Sequence, residues 1–454
     1  MIPTKPIPRA NPAGILVDAH GGSKLRPDLP PTHRGRINGR RRSAPVPGIH
    51  PRLDALNFFL ADVRGGLGAF VSVFLVTAAG WSPAEVGAVL TVSGLLGIAV
   101  HTPVGAMIDA VHGKRALLVG AVALLAVCAI AIERHPTGPV VFTADVIMAV
   151  LGGVFAPTVA ALTLGLVPEH AFASRLARNA VWDRIGNLTI AALVGAIGWW
   201  WSQRTTFYLI PFFAGLSAAV ILSIPARAID HERARGFARG QHGEHAQGFW
   251  TLLTQNRPLL ILALIAATFH FGNASMLPLV GQKLALAHPG YETAFMSACV
   301  LVAQLVAIPV AMLAGRKAKV WGLRPLLAAS CLALALRGAA FAWFDNAALL
   351  VAAQFLDGIA SGIWDVLIPL ILADLVVGSG RYSMSRGVVG TVQGVGGSLS
   401  NVAAGTMVMA GGYGAAFALL CVFASLACGL AALLPEPEDV KAARVERLRS
   451  EAKV

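Results

Sequence analysis

The stretch that decides the fold runs from Pro103 to Arg115 and reads Pro-Val-Gly-Ala-Met-Ile-Asp-Ala-Val-His-Gly-Lys-Arg. It lies between two long apolar runs, and its glycines, acid and cations are Gly105, Asp109, Gly113, Lys114 and Arg115. Glycine lets two helices approach closely and lets a chain reverse where a side chain would clash. An isolated acid beside apolar helices is stabilised by a cation or by the positive end of a helix. The stretch therefore predicts a tight turn between two helices, in which Asp109 needs such a partner.

The composition indicates a membrane protein. Of the 454 residues, 56% are hydrophobic and only 13% are charged, and the mean hydropathy is +0.68. An ordinary soluble protein carries about 25% charged residues. Apolar runs of about 20 residues, long enough to cross a bilayer as helices, recur from Leu56 to Leu434. They do not alternate as the strands of a membrane barrel would, so we predict an all-α integral membrane protein.

Twelve membrane-spanning helices are predicted from these runs. They cover residues 56–79, 85–108, 115–133, 140–167, 176–201, 206–228, 257–284, 291–314, 324–344, 347–376, 383–409 and 412–433. An even number of spans places both ends of the chain on the same side of the membrane.

The distribution of Lys and Arg predicts which side that is. Ten of these residues precede Leu53, and more follow in the loops and the tail on the same side. The opposite loops offer little beyond Arg134, Arg204 and Lys283. Because cations concentrate on the cytoplasmic side of membrane proteins, we expect both termini in the cytoplasm and the protein in a bacterial-type inner membrane. The net charge of +13 then traces the inner face of the membrane, and it does not indicate nucleic-acid binding.

Polar segments divide the chain. Residues 1–52 are rich in Pro, Gly and Arg and are predicted to be a disordered cytoplasmic tail without a cleaved signal peptide. Two six-helix bundles are predicted over residues 53–228 and 257–434, with a cytoplasmic linker at 229–256 and a cytoplasmic tail at 435–454. The linker contains histidines in a His-x-x-His pair, which we expect to be solvated and not to bind a metal.

Motifs for other kinds of chemistry are missing from the sequence. The five cysteines lie inside apolar runs without metal-ligand spacing, and we interpret them as small buried hydrophobic residues. We find no hydrolytic elbow, phosphate loop, paired metal ligands or haem signature. We therefore expect no cofactor, no metal and no enzymatic activity, and a monomer that works with a small solute, protons and the lipid bilayer.

The two predicted bundles resemble copies of each other. Pro103 and Pro309 are 206 residues apart, Asp145 and Asp357 are 212 apart, and Gly186 and Gly397 are 211 apart. Internal duplication is typical of transporter folds, whose substrate site lies where the repeats meet near the membrane midplane. The opening loop is similar to the loop after the second helix of the major facilitator superfamily, whose pattern is Gly-x-x-x-Asp-(Arg)-x-Gly-(Arg/Lys)-(Arg/Lys). With this loop and the internal duplication, the chain resembles that superfamily over residues 53–434.

This resemblance implies two rigid bundles that rock around a midplane site. It also implies that spans one, four, seven and ten line the central cavity. We expect Asp109 to contact the start of the eleventh span, near Ser383 or Ser385, and to hold the inner side closed until the bundles move.

The tenth span carries the candidates that stand out most. Asp357, Ser361 and Asp365 recur every four residues, so they form one polar stripe, with Trp364 beside it. Asp145 occupies the position in the fourth span that corresponds to Asp357, which favours a structural role for that pair. Asp365 has no such counterpart. We therefore predict that Asp365 is the proton-coupling acid, with Asp357 as the alternative and Trp364 placed to stack on a ligand.

Two other spans contain ionisable residues, which are costly in a membrane and often functional. His270 and Asn273 lie near the centre of the seventh span, where His270 is either a proton-linked switch or a neutral residue bonded between helices. Asp62 and Arg64 lie in the first span and face different ways. They either line the cavity or pair structurally with the fifth span.

From these observations we predict a secondary transporter of a small organic solute that works by alternating access. Proton-coupled efflux is the first expectation and proton-coupled uptake is the second. A membrane receptor or scaffold that transports nothing is the third.

Overall fold

The computed structural model describes residues 49–61, 68–110, 113–229, 256–375 and 382–435. Within these residues the chain is helical apart from short turns, and they contain no β-strand. The predicted all-α class is therefore confirmed. The N-terminal tail up to residue 48, the linker histidines and the tail after residue 435 lie outside the described residues.

Fourteen α-helices follow one another along the described chain. They are α1 Ile49–Ala61, α2 Gly68–Thr77, α3 Pro83–Ala110, α4 Lys114–Arg134, α5 Gly138–Leu166, α6 Glu169–Trp200, α7 Leu209–Ser223, α8 Arg257–Ala274, α9 Met276–Ala287, α10 Glu292–Trp321, α11 Leu323–Trp343, α12 Ala347–Ala352, α13 Gln354–Leu375 and α14 Tyr382–Ala431. Short 3-10 helices at Arg204–Tyr208 and Ala226–Ala228 flank α7.

Polar residues define several helix starts. Before α3, Ser82 and Glu85 bond each other's backbone N–H groups at 2.8 and 3.2 Å, which is a capping box. Before α8, the side chain of Asn256 accepts from the Leu259 N–H at 3.1 Å, and Pro258 follows inside the first turn. Asn346 caps α12 in the same way. The sequence therefore sets these starts locally, before any packing.

The first predicted span differs from the structure at its start. Helix α1 begins at Ile49, whereas hydropathy predicts a start near residue 56. The first turns of α1 contain charged residues, which lower the hydropathy of this segment below that of a span. Asp54 is nevertheless buried there, because arginines of α6 pair with it. Residues 62–67, which include Asp62 and Arg64, lie outside the described part of the chain.

Ten helical segments of the described chain are long and apolar enough to cross a membrane. Two features explain why this number is lower than the twelve predicted spans. Helices α1 and α2 are counted apart and are each too short, and α14 is a single element of 50 residues. At Gly412, φ is 79° and ψ is 177°, which interrupts the helix between the predicted eleventh and twelfth spans. Glycine suits this position because positive φ is costly for other residues.

Two clusters of buried apolar side chains form the interior. One extends from Ile49 to Ile229 and adds only Ala285 and Met296 from later in the chain. The other extends from Leu259 to Leu434. Each half of the chain therefore packs mainly on itself.

Glycines bring helices of the two halves into close contact. Helix α3 packs against α14, α6 against α10, and α2 against α9. A Cβ at Gly405 would collide with the Pro83 carbonyl, and one at Gly198 would collide with the Thr293 side chain. Hydrogen bonds support the same contacts, since Thr91 Oγ1 donates to the Ser398 carbonyl at 2.7 Å.

Candidate functional site

An ion pair joins the two halves of the chain. The Arg184 guanidinium on α6 donates to Asp365 Oδ2 on α13 at 2.7 Å, and it also reaches Gln304 Oε1 on α10 at 3.4 Å. The two charged side chains are 31% and 51% exposed. Asp365 is thus both paired across the halves and accessible. Arg184 was not singled out from the sequence, although an arginine well inside a predicted span is a signal of the same kind as the acids.

Asp357 lies in a different environment, inside the second half. It accepts from Arg337 Nη1 on α11 at 2.7 Å, and the same nitrogen donates to Asn273 Oδ1 on α8 at 2.8 Å. The Arg337 side chain is 1% exposed, and its Nε and Nη2 atoms bond no described residue. Arg337 was not predicted as a site residue, although an arginine inside an apolar run is the same kind of signal as the acids.

The predicted polar stripe of α13 therefore divides in two. Positions 357 and 365 are about 80° apart around an α-helix, which turns Asp357 toward α11 and Asp365 toward α6. Ser361 belongs to neither side, because its hydroxyl donates to the Asp357 carbonyl of its own helix at 2.8 Å.

Trp364 is packed against α8. Its ring stacks on Phe269 with the centroids 3.9 Å apart, and its side lies against His270 at 5.1 Å. Because Trp364 is only 5% exposed, it holds α13 against α8 in this conformation and is not available to a ligand. His270 Nδ1 lies 3.1 Å from the Ala266 carbonyl, an acceptor, so this nitrogen carries a proton.

The gating loop is described only in part. Gly105 lies in α3, the side chain of Asp109 is outside the described residues, and Gly113 is the N-cap residue of α4, with no side chain to accept from the helix. Arg115 donates to the Ile221 and Leu222 carbonyls at 3.2 and 2.7 Å, so it caps the C-terminal end of α7. Lys114 is 2% exposed. The predicted contact of Asp109 with the start of the eleventh span stays a prediction.

A charged cluster at the start of α6 was not predicted. Asp54 on α1 accepts from Arg175 and Arg178 at 2.6 Å each, and Arg175 Nε donates to Asn179 Oδ1 at 2.8 Å. The bonds from Arg175 and Arg178 compensate the negative charge of the buried Asp54 carboxylate. The cluster fastens α1 to α6, the role that the sequence analysis considered for Asp62 and Arg64.

A cavity of about 400 Å³ lies between α3 and α5 of the first half and α8 and α14 of the second. Its polar lining consists of Asp145, Ser398 and Asn401, and glycine and apolar residues complete it. Ser93 lies beside Asp145, and its hydroxyl donates to the Val89 carbonyl of its own helix at 2.8 Å. Among the described residues, no cation pairs with Asp145, although the corresponding Asp357 is paired.

The chain matches the family model of the Major Facilitator Superfamily over residues 54–348. It is also similar to two proteins named as uncharacterized MFS-type transporters, from two strains of Mycobacterium tuberculosis. Each is 39% identical to this chain over 406 residues, and the match covers 88% of this chain and 96% of the relative.

Solved structures of transporters share the fold. The nucleoside transporter NupG is 17% identical, with a TM-score of 0.66 over 85% of this chain and 98% of NupG. The xylose transporter XylE from E. coli, in a partially occluded inward open conformation, is 15% identical, with a TM-score of 0.60 over 86% of this chain and 98% of XylE. At these identities the likeness concerns the fold alone.

Proposed function

The chain belongs to the major facilitator superfamily, and on that premise we propose that this secondary transporter couples the export of a small organic solute to proton entry. We propose that twelve spans form two six-helix bundles, with both termini in the cytoplasm and the substrate between the bundles. The two hydrophobic clusters and the interruption at Gly412 support this arrangement.

The ion pair between Arg184 and Asp365 carries the proposal of proton coupling. A carboxylate that is half exposed can exchange protons with water, and a proton on Asp365 removes the negative charge that attracts Arg184. Since the two residues belong to different halves, protonation weakens one of the bonds between those halves. A proton gradient can thereby shift the equilibrium between two relative positions of the halves.

The contacts between the halves support a conformation that is closed toward the outside. With the proposed orientation, Pro83, Gly198, Thr293 and Gly405 all lie toward the outer ends of their helices. The close approach of these helices blocks the outer entrance, whereas Asp365 stays accessible. In alternating access the opposite state then opens these outer contacts.

The remaining predicted residues receive supporting roles. Asp357 and Asn273 hold the buried Arg337, and Trp364 and His270 join α13 to α8. We therefore keep Asp365 as the proton acceptor and Asp357 as the alternative. Asp62 and Arg64, outside the described residues, stay candidates for the cavity lining.

The test is flux into proteoliposomes with an imposed pH gradient, measured over a broad panel of compounds. We expect Asp365→Asn to abolish gradient-driven transport and to leave counterflow exchange intact, since exchange needs no net proton release. Arg184→Gln should weaken gradient-driven transport in the same assay. Normal transport by Asp365→Asn, together with loss of transport in Asp357→Asn or His270→Gln, would move the proton site to one of those residues.

Proton-coupled uptake is the second candidate, because one solved structure with this fold is titled as a D-xylose-proton symporter, with a TM-score of 0.65 and 13% identity. The same vesicles distinguish the two directions by whether substrate accumulates with or against the proton flow. A receptor or scaffold would show no flux that depends on the gradient.

A further inference from the structure

We propose that the cavity between α3, α5, α8 and α14 binds organic cations and that Asp145 is the carboxylate which pairs with the cationic centre. The proposal rests on the transport function proposed above and adds the chemical class of the substrate. It arises from the contrast between Asp145 and its counterpart in the other half of the chain.

The charge of Asp145 lacks the compensation that Asp357 has. Asp357 pairs with Arg337, and the residue 212 positions before Arg337 is Leu125, an apolar residue. Among the described residues, the polar side chain beside Asp145 is Ser93, whose hydroxyl donates to the Val89 carbonyl, and no cation pairs with Asp145. An acid that faces a cavity in an apolar surrounding gains from a cation brought close to it. A ligand with a positive charge supplies that partner.

The cavity has the size and position of a substrate site. Its volume of about 400 Å³ falls in the usual range of small-molecule pockets, about 300–1,000 Å³. Helices of both halves contribute to its walls, as expected for a transporter site between bundles. Movement of the halves would therefore change the shape of the site and its access.

The lining selects against other classes of ligand. The lining residues of the described chain include no Lys, Arg or His, so nothing there neutralises an anion. A sugar-like solute needs many hydrogen-bond partners, whereas Asp145, Ser398 and Asn401 are the only polar side chains of that lining. Leu90 and Ile98 are among its apolar residues. A single positive charge on an apolar body matches these walls.

The test uses tetraphenylphosphonium as the cationic probe and tetraphenylborate as an anion of the same shape. Binding of radiolabelled tetraphenylphosphonium to the purified full-length protein is measured in detergent. We expect Asp145→Asn to lower the affinity by at least about 10-fold, because a carboxylate paired with a desolvated charge contributes strongly to binding. Asp145→Glu should keep most of the affinity, and tetraphenylborate should not compete.

Asp345→Asn is the matched control, since Asp345 is a fully exposed loop acid that pairs with Lys283 at 2.8 Å, far along the chain from the cavity. It should bind the cation as the wild type does. A second variant, Gly397→Val, keeps Asp145 and fills the cavity. A Cβ at Gly397 would lie 3.6 Å from Ala274 Cβ, which is an ordinary contact, so the helix accommodates a Cβ there, and the thermal unfolding temperature of the variant shows whether it also accommodates the valine methyl groups. We expect it to lose affinity as well.

Wild-type affinity in folded Asp145→Asn or in Gly397→Val would overturn the site, as would stronger binding of tetraphenylborate by the wild type. Failure of the proposed function looks different. If the protein binds the cation but shows no gradient-dependent flux of it, the site stands and the transport proposal fails. If a neutral or anionic solute is transported and no cation binds, transport stands and the substrate class is wrong.

Discussion

The two carboxylates of α13 are paired with arginines in opposite surroundings. Asp365 and Arg184 are both accessible, and an exposed ion pair contributes only about 0–1 kcal/mol to stability. Asp357 is 17% exposed and its partner Arg337 is 1% exposed. Loss of one member of a buried pair leaves an uncompensated charge and costs about 3–5 kcal/mol. The same chemical group is thus largely buried at one position and half exposed at the other.

This difference gives a stability prediction. We expect Asp357→Asn to lower the thermal unfolding temperature of the purified protein clearly, whereas Asp365→Asn should change it little. The double variant Arg337→Met with Asp357→Asn should recover part of the loss, because it removes both charges together. Equal unfolding temperatures for Asp357→Asn and the wild type would show that the buried pair is not structural.

At this scale the sequence predicts which acids are unusual but not their partners. The four-residue spacing identifies Asp357 and Asp365 as members of one stripe. That they turn toward different helices is seen only in the structure, where each acid pairs with its own arginine. Arg337 comes from a different span, and the distance along the chain does not reveal that α11 and α13 meet. Asp54 was missed because hydropathy excludes charged turns from a span, although burial with two arginines stabilises it there.

At the scale of helices, hydropathy predicts the elements well. Spans such as the predicted 115–133 and 324–344 correspond to α4, Lys114–Arg134, and α11, Leu323–Trp343. Length and apolar character are properties of the local sequence, which is why they are predictable. The packing of α3 on α14 is not local. It depends on where glycines of one helix meet the backbone of another.

Gly405 offers a test of that packing. Its missing side chain lets α14 approach the Pro83 carbonyl, and an added Cβ would collide with it. We therefore expect Gly405→Ala to separate the outer ends of α3 and α14 and to favour the state that is open outward. Spin labels on the two helix ends would report a longer distance.

Gly390→Ala is the control on the same helix. No atom lies within 4 Å of a Cβ built at this glycine, so the substitution adds a methyl group without a clash. The spin-label distance should then match that of the wild type. A longer distance in both variants, or in neither, would mean that the close approach at Gly405 does not hold the outer face together.

At the scale of the whole molecule, the side of the membrane on which the glycine contacts and Asp365 lie depends on the orientation of the chain. The Lys and Arg distribution predicts that the termini and the linker lie in the cytoplasm. With that orientation the glycine contacts lie on the outer face, while the Asp365 side chain is 51% exposed. The opposite orientation would turn the same contacts into an inner closure. Neither feature alone determines the direction of transport.

Cysteines placed at two serines, one before α7 and one at its end, would test the orientation of the chain in the membrane. Ser202 follows α6 and Ser223 ends α7, and both are exposed. In a variant without the five native cysteines, we expect Ser202→Cys to react with a membrane-impermeant maleimide in intact cells. Ser223→Cys should react only after the cells are permeabilised, because one span separates the two positions. The reverse pattern would place the linker outside and make the observed conformation one that is closed toward the cytoplasm, so Asp365 would receive its protons from outside.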